Sequence, residues 1–118
     1  MGYYPRTDIS QDDSGLTFEL AIPGLSLSDI TLELVGNNLV ITGTNKERNQ
    51  HARYSSKELY TGYFTRQYVI NPNQFDISTI TSKMTNGFLV IKIPFKDVLN
   101  INRIKTLTIQ EDQSDGSK

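Results

Sequence analysis

Apolar residues in this chain recur with a period of two. Over residues 16–22, Leu16, Phe18, Leu20 and Ile22 alternate with Thr17, Glu19 and Ala21, the spacing that turns one face of a strand to a core and the other to water. The alternation returns at Ile30, Leu32 and Leu34, and again over residues 64–70. Leu39-Val40-Ile41-Thr42-Gly43 is a continuous apolar run and reads as a more buried strand. Turn residues separate these segments. Asn86-Gly87, between residues 80–85 and 88–93, is the strongest hairpin signal, because a two-residue type I′ turn needs positive φ at both positions. Gly36-Asn37-Asn38 predicts a second hairpin. Asp12-Asp13-Ser14-Gly15 predicts a third, pairing a polar edge strand over residues 6–11 with residues 16–22. Pro23-Gly24, Asn71-Pro72-Asn73 and Pro94 close strands that proline cannot continue. Composition agrees: 29 residues are Val, Ile or Thr and two are Ala, a balance that penalises helices and suits pleated sheets. The class is all-β.

The 118 residues suffice for one domain and not for a second, catalytic one. A net charge of −1 supplies no basic field for nucleic acid. Tyr54, Tyr60, Tyr63 and Tyr68 interleave with Arg53 and Arg66, as base-stacking sites do, but at this charge they read as core or interface residues. With no cysteine, thiol catalysis, disulfides and thiolate metal sites are excluded. His51, the one histidine, sits in a polar stretch with no nucleophile or orienting carboxylate assignable to it, and reads as a solvated loop residue. Asp12-Asp13 and Glu111-Asp112 read as turn and tail acids, since the spacing of a calcium loop is absent. The glycines are spread through turns and form no phosphate cradle. No cofactor, metal or catalytic site is expected. There is no repeat of solenoid period. There is no apolar run of about 18 residues and no signal-like core in residues 1–10. The expectation is a cytoplasmic protein without integral membrane association.

Two features break the regular pattern. From residue 44 to residue 57 hydrophobicity collapses, with Lys46, Glu47, Arg48, Asn49, Gln50, His51 and Arg53 in close order. A long loop inside a small sandwich usually has a function. In the strand over residues 64–70, alternation puts Arg66 on the face of Phe64, Tyr68 and Ile70. An unpaired buried charge costs on the order of several kcal/mol, so Arg66 either emerges at the sheet rim or meets acceptors at a subunit contact. Residues 110–118 contain only polar residues and glycine, and are expected to be disordered.

Ala21-Ile22-Pro23-Gly24, Leu39-Val40-Ile41-Thr42-Gly43, Gly62-Tyr63-Phe64-Thr65-Arg66 and Asn86-Gly87-Phe88-Leu89-Val90-Ile91 resemble, in order and spacing, the α-crystallin domain of the small heat-shock proteins. The resemblance covers roughly residues 4–95. The polar loop containing Tyr54 looks like the bacterial and plant type, in which a strand in the loop is donated to the neighbouring subunit. The resemblance implies an immunoglobulin-like antiparallel β-sandwich over residues 1–95, with residues 1–5 as a very short N-terminal arm and 96–118 as a flexible C-terminal extension. It implies an ATP-independent holdase, not an enzyme, that binds unfolding client proteins as a strand-exchanged homodimer and within larger homo-oligomers.

Carried over residue by residue, the dimer interface would comprise Tyr54, Ser55, Ser56 and Lys57 from one subunit against Thr7, Asp8, Ile9 and Ser10 of the other. Arg66 would meet Glu58, eight positions earlier. Leu107-Thr108-Ile109 matches the family's C-terminal Ile-X-Ile/Val anchor, with leucine in the first place. Its receiving groove would lie between Ile30, Leu32 and Leu34 on one edge and Ile80, Ser82 and Met84 on the other. The thirteen steps from Pro94 to Leu107 span at most about 43 Å at about 3.3 Å each, enough for the subunit's own groove or a neighbour's. Family members usually carry a longer arm than residues 1–5 provide. The alternative is a CS-type co-chaperone sandwich docking on one specific partner, which needs neither a donated strand nor an anchor; a structural sandwich in a virion or fibre is a more distant one.

Overall fold

The computed structural model describes residues 3–96. Seven strands form two antiparallel sheets packed face to face. The strands are β1 (Thr7–Gln11), β2 (Gly15–Ala21), β3 (Ile30–Val35), β4 (Asn38–Asn45), β5 (Gly62–Val69), β6 (Thr81–Thr85) and β7 (Phe88–Pro94). One sheet has the order β1-β2-β7-β6 and the other β3-β4-β5. This is the expected all-β, immunoglobulin-like sandwich. The two single-turn 3₁₀ helices, Leu27–Asp29 and Ile77–Thr79, were not foreseen.

The core is built by the alternating residues. Phe18 and Leu20 of β2, Leu39 and Ile41 of β4, and Leu89, Ile91 and Ile93 of β7 are almost wholly buried, joined by Ile22, Phe64 and Ile70. Between β6 and β7 the turn is of the expected kind, with Asn86 at φ 52° and Gly87 at φ 81°. Gly43 is required by space: a Cβ there would stand 2.6 Å from Phe64 Cζ and 2.7 Å from the Asp29 carbonyl oxygen. Its absence lets the Phe64 ring lie across β4. At the far end Phe75 and Phe95 stack with centroids 5.1 Å apart, and Asp76 N donates to the Pro94 carbonyl at 2.8 Å.

The way the sheets face each other positions the site. Arg66 and Tyr68 of β5 meet Pro5 and Phe18, so the free edge of β5 lies over the β1 side of the larger sheet. Leu32 and Leu34 of β3 share a cleft with Ile77 and Ile80, so the β3 edge lies over the β6 side. Among the described residues, the sandwich is therefore open along both flanks.

Candidate functional site

The β1 flank has the features of a surface awaiting another strand. Among the described residues β1 pairs with β2 alone, in a register that sets Thr7 opposite Leu20, Ile9 opposite Phe18 and Gln11 opposite Leu16. Ile9 is thus on the inward face, yet it is 50% exposed, because the three-stranded sheet does not extend beneath β1. Asp8 and Ser10 are exposed on the other face. Such an edge presents unpaired N–H and C=O groups and invites pairing.

Arg66 stands at this opening. It lies on the inward face of β5 with Phe64 and Tyr68, as alternation predicts, and is partly buried. Within the single chain its partners are a backbone carbonyl and two aromatic rings. Arg66 Nη1 donates to the Pro5 carbonyl at 2.6 Å, and the guanidinium lies 5.4 Å from the Tyr3 ring centroid and 5.5 Å from that of Tyr68. The Pro5 carbonyl also accepts from Thr7 Oγ1 at 3.0 Å. Glu58 makes no ion pair with Arg66 within the single chain, among whose described residues the ion pairs are Lys46–Asp29 and Lys57–Glu47. The physical reason is proximity: the chain entering β1 brings a backbone acceptor to the guanidinium, while Glu58 is carried out on the exposed loop. Beside Arg66, the Tyr68 hydroxyl is buried and finds no hydrogen-bond partner among the described residues.

The loop over residues 46–61 contains no strand in the single chain. Tyr54, Ser55, Ser56 and Lys57 are exposed, and Tyr54 and Lys57 are held locally by Glu47. The Tyr54 hydroxyl donates to the Glu47 carboxylate, Lys57 Nζ stands 3.9 Å from its other oxygen, and Lys57 lies 5.4 Å above the Tyr54 ring. The hydrogen bond from Tyr54 is the main cause holding the Glu47 carboxyl below its ordinary range, and the same bond pushes the Tyr54 phenol up.

The base of this loop was not foreseen. Asn45, the last residue of β4, is 6% exposed. Its Nδ2 donates to the Tyr60 carbonyl at 2.9 Å and to the Tyr4 hydroxyl at 3.1 Å, and its Oδ1 accepts from Arg48 Nη2 at 3.4 Å. The Tyr4 ring stacks on Tyr60, with centroids 4.7 Å apart, and meets Phe64 edge-on at 5.2 Å. Burial is the leading cause that raises the Tyr4 phenol's pKa. An asparagine closing an apolar strand and a tyrosine near the terminus carry no motif that joins them.

On the opposite flank a cleft of about 270 Å³ is lined by Leu32, Leu34, Leu39, Ile77 and Ile80, with Glu33 and Ser78. Leu32 and Leu34 line its β3 side, and the 3₁₀ turn and Ile80 line the other; Met84 packs against the core and Ser82 is exposed on β6. Leu107 and Ile109 lie outside the described residues.

The remaining candidates have structural explanations. His51 is exposed in the loop. Asp12 is a turn residue, its carboxylate accepting from Ser14 N at 2.8 Å and Ser14 Oγ at 2.7 Å, bonds that lower its pKa. Among the described residues no cluster of His, Cys, Asp or Glu could hold a metal, and no helix is long and apolar enough to cross a membrane.

Residues 8–110 match the Hsp20/alpha crystallin family. The chain belongs to that family. It is a family of chaperones and not of enzymes. Small heat shock proteins C2 and C4 of Rickettsia felis are 36% and 35% identical over 95 and 104 residues, stretches that cover 79% and 86% of this chain. The chain spans 61% and 63% of those relatives' own length. Among solved structures, hspA of Xanthomonas axonopodis superposes with a TM-score of 0.71 at 28% identity, covering 81% of this chain and 97% of that one. The small heat-shock protein of Xylella fastidiosa gives 0.72 at 26% identity, covering 81% and 89%. The match favours the chaperone reading over the CS-type adaptor.

Proposed function

We propose that this small heat-shock protein is an ATP-independent holdase, cytoplasmic, that works as a homodimer exchanging strands and as larger homo-oligomers built from it. The observation that carries the dimer is the presence, in one subunit, of an unpaired polar edge at β1 and an exposed loop over residues 46–61. Residues 54–57 of each subunit add a strand to β1 of the other, laying Tyr54, Ser55, Ser56 and Lys57 beside Thr7, Asp8, Ile9 and Ser10. Two-fold symmetry satisfies both edges at once. In the dimer Arg66 takes Glu58 as a second acceptor beside the Pro5 carbonyl. Holding clients needs apolar surface but no chemistry. The outer face of the smaller sheet offers some, with Val35 57% and Val69 80% exposed on either side of Asn38, which pairs with both.

The test is turbidity of a thermolabile enzyme heated with the purified chain and no nucleotide. Scattering should fall in proportion to added chain, and ATP should change nothing. Undiminished scattering at several-fold mass excess refutes the holdase reading.

Higher assembly is assigned to the cleft beneath β3. Two aliphatic anchors contribute about 1.5–3 kcal/mol each when fully buried, less the cost of ordering the tether, so Leu107 and Ile109 would make a weak, reversible contact there. The Xylella relative is described as having a distinct high order structure. Leu107→Ala with Ile109→Ala should collapse the native mass spectrum to dimers. An unaltered distribution of assemblies would remove the anchor role.

A further inference from the structure

The buried amide of Asn45 ties together three stretches of chain that are distant in sequence. A side-chain amide this far from water must find its bonds in protein. It finds them at Tyr60, two residues before β5 begins, at Tyr4, three residues before β1 begins, and at Arg48, three residues into the loop. Arg48 also donates to the Pro23 carbonyl at 3.2 Å. Ring contacts fasten the same point, since Tyr4 lies between Tyr60 and Phe64. Both ends of the loop are therefore pinned to residues 3–5, which run directly into β1 and whose Pro5 carbonyl holds Arg66.

We infer that Tyr4 and Asn45 are positioning residues for subunit exchange, fixing the base of the donor loop relative to the acceptor edge of the same subunit. This rests on the strand-exchange reading. Under two-fold symmetry each subunit both gives a loop and receives one, and the distance from loop base to edge is the same in both partners. A loop hinged freely at its base would have to be ordered on association, at a cost in affinity. A pinned base has lost that freedom already. The pin is distinct from the pairing surface, for Tyr4, Asn45 and Tyr60 are engaged with one another within the subunit, whereas residues 54–57 are exposed.

The experiment uses the full chain and measures the dimer dissociation constant by sedimentation, alongside amide hydrogen exchange. Tyr4→Leu and Asn45→Ala should each raise the constant about tenfold, the scale of one lost hydrogen-bonded contact. Amides of residues 46–61 should exchange faster in both, with protection at Leu20 and Ile91 unchanged. Combined, the two should cost less than the product of their separate effects, because they act through one cluster. Tyr4→Phe keeps the ring and loses the hydroxyl. It should raise the constant about threefold, and it decides the matter if Tyr4→Leu does not fold. Unchanged constants in these variants, with dimers lost on deletion of residues 46–56, overturn the positioning role and leave strand exchange standing. Loss of protection at Leu20 and Ile91 in step with affinity also overturns it, because the residues would then be acting on the core. A dimer that survives the deletion overturns the strand-exchange reading and the pin with it.

Discussion

Deleting residues 46–56 should convert the dimer to monomers while leaving the sandwich folded. Asn45 and Gly62 are paired across β4 and β5, so the residues left between them need bridge only the width of one strand pair. Shortening the connection in this way changes the closure entropy by about 1 kcal/mol, in the stabilising direction. What the subunit loses is Arg48, with its bonds to Pro23 and Asn45, the exposed Lys46–Asp29 ion pair, and the exposed cluster around Glu47. None of the core residues belongs to the deleted stretch. Under the strand-exchange proposal, the dimer loses the strand that would cover β1 and the half-exposed Ile9 in both subunits. A large change in mass with a small change in stability is therefore expected. Sedimentation and thermal unfolding read the two separately, and a dimer of unchanged affinity would show that the long loop serves something other than subunit pairing.

How much of this was legible in sequence depended on the range of the interactions. Strand positions follow from a period of two, and the structure places β2 at Gly15–Ala21 where alternation over residues 16–22 put it. The same rule located Arg66 on the inward face. It could not supply the arginine's partner, because the Pro5 carbonyl is a backbone atom and any residue at that position offers one. The turns at Leu27–Asp29 and Ile77–Thr79 are too short to show a period. They depend on local bonds, such as that from Ser26 N to the Asp29 carboxylate at 2.9 Å. The cluster of Tyr4, Asn45 and Tyr60 joins residues separated by 41 and 15 positions, and only the folded chain brings them together. Ile77 was missed in the cleft beneath β3 for a related reason: it stands on an irregular turn, invisible to alternation, beside Ile80. The edge and the loop were legible as anomalies, a polar strand and a polar excursion, while their pairing came from the family resemblance.

Arg66→Ala should separate two contributions that the isolated chain and the dimer make differently. In the single subunit the guanidinium donates one charge-assisted bond, to Pro5, and lies against the Tyr3 and Tyr68 rings. Hydrogen bonds to charged groups contribute about 1.5–3 kcal/mol, and removing this one leaves the Pro5 carbonyl with the bond from Thr7 Oγ1. The monomer should thus lose about 2 kcal/mol. Glu58→Gln, by contrast, should move monomer stability by less than about 0.5 kcal/mol, the range of an ordinary surface site, since Glu58 forms no ion pair there. In the dimer the ordering tightens. If the exchanged strand brings Glu58 to Arg66 and excludes water, removing the arginine leaves a carboxylate without its counter-charge. The loss then approaches the roughly 3–5 kcal/mol of a broken buried pair. A double-mutant cycle of Arg66→Ala and Glu58→Gln should accordingly show no coupling in dilute monomer and about 1 kcal/mol or more at concentrations where the dimer is populated. Coupling of equal size in both states would place the pair within one subunit, contrary to the structure. Coupling absent from both would leave Arg66 held by the Pro5 carbonyl alone.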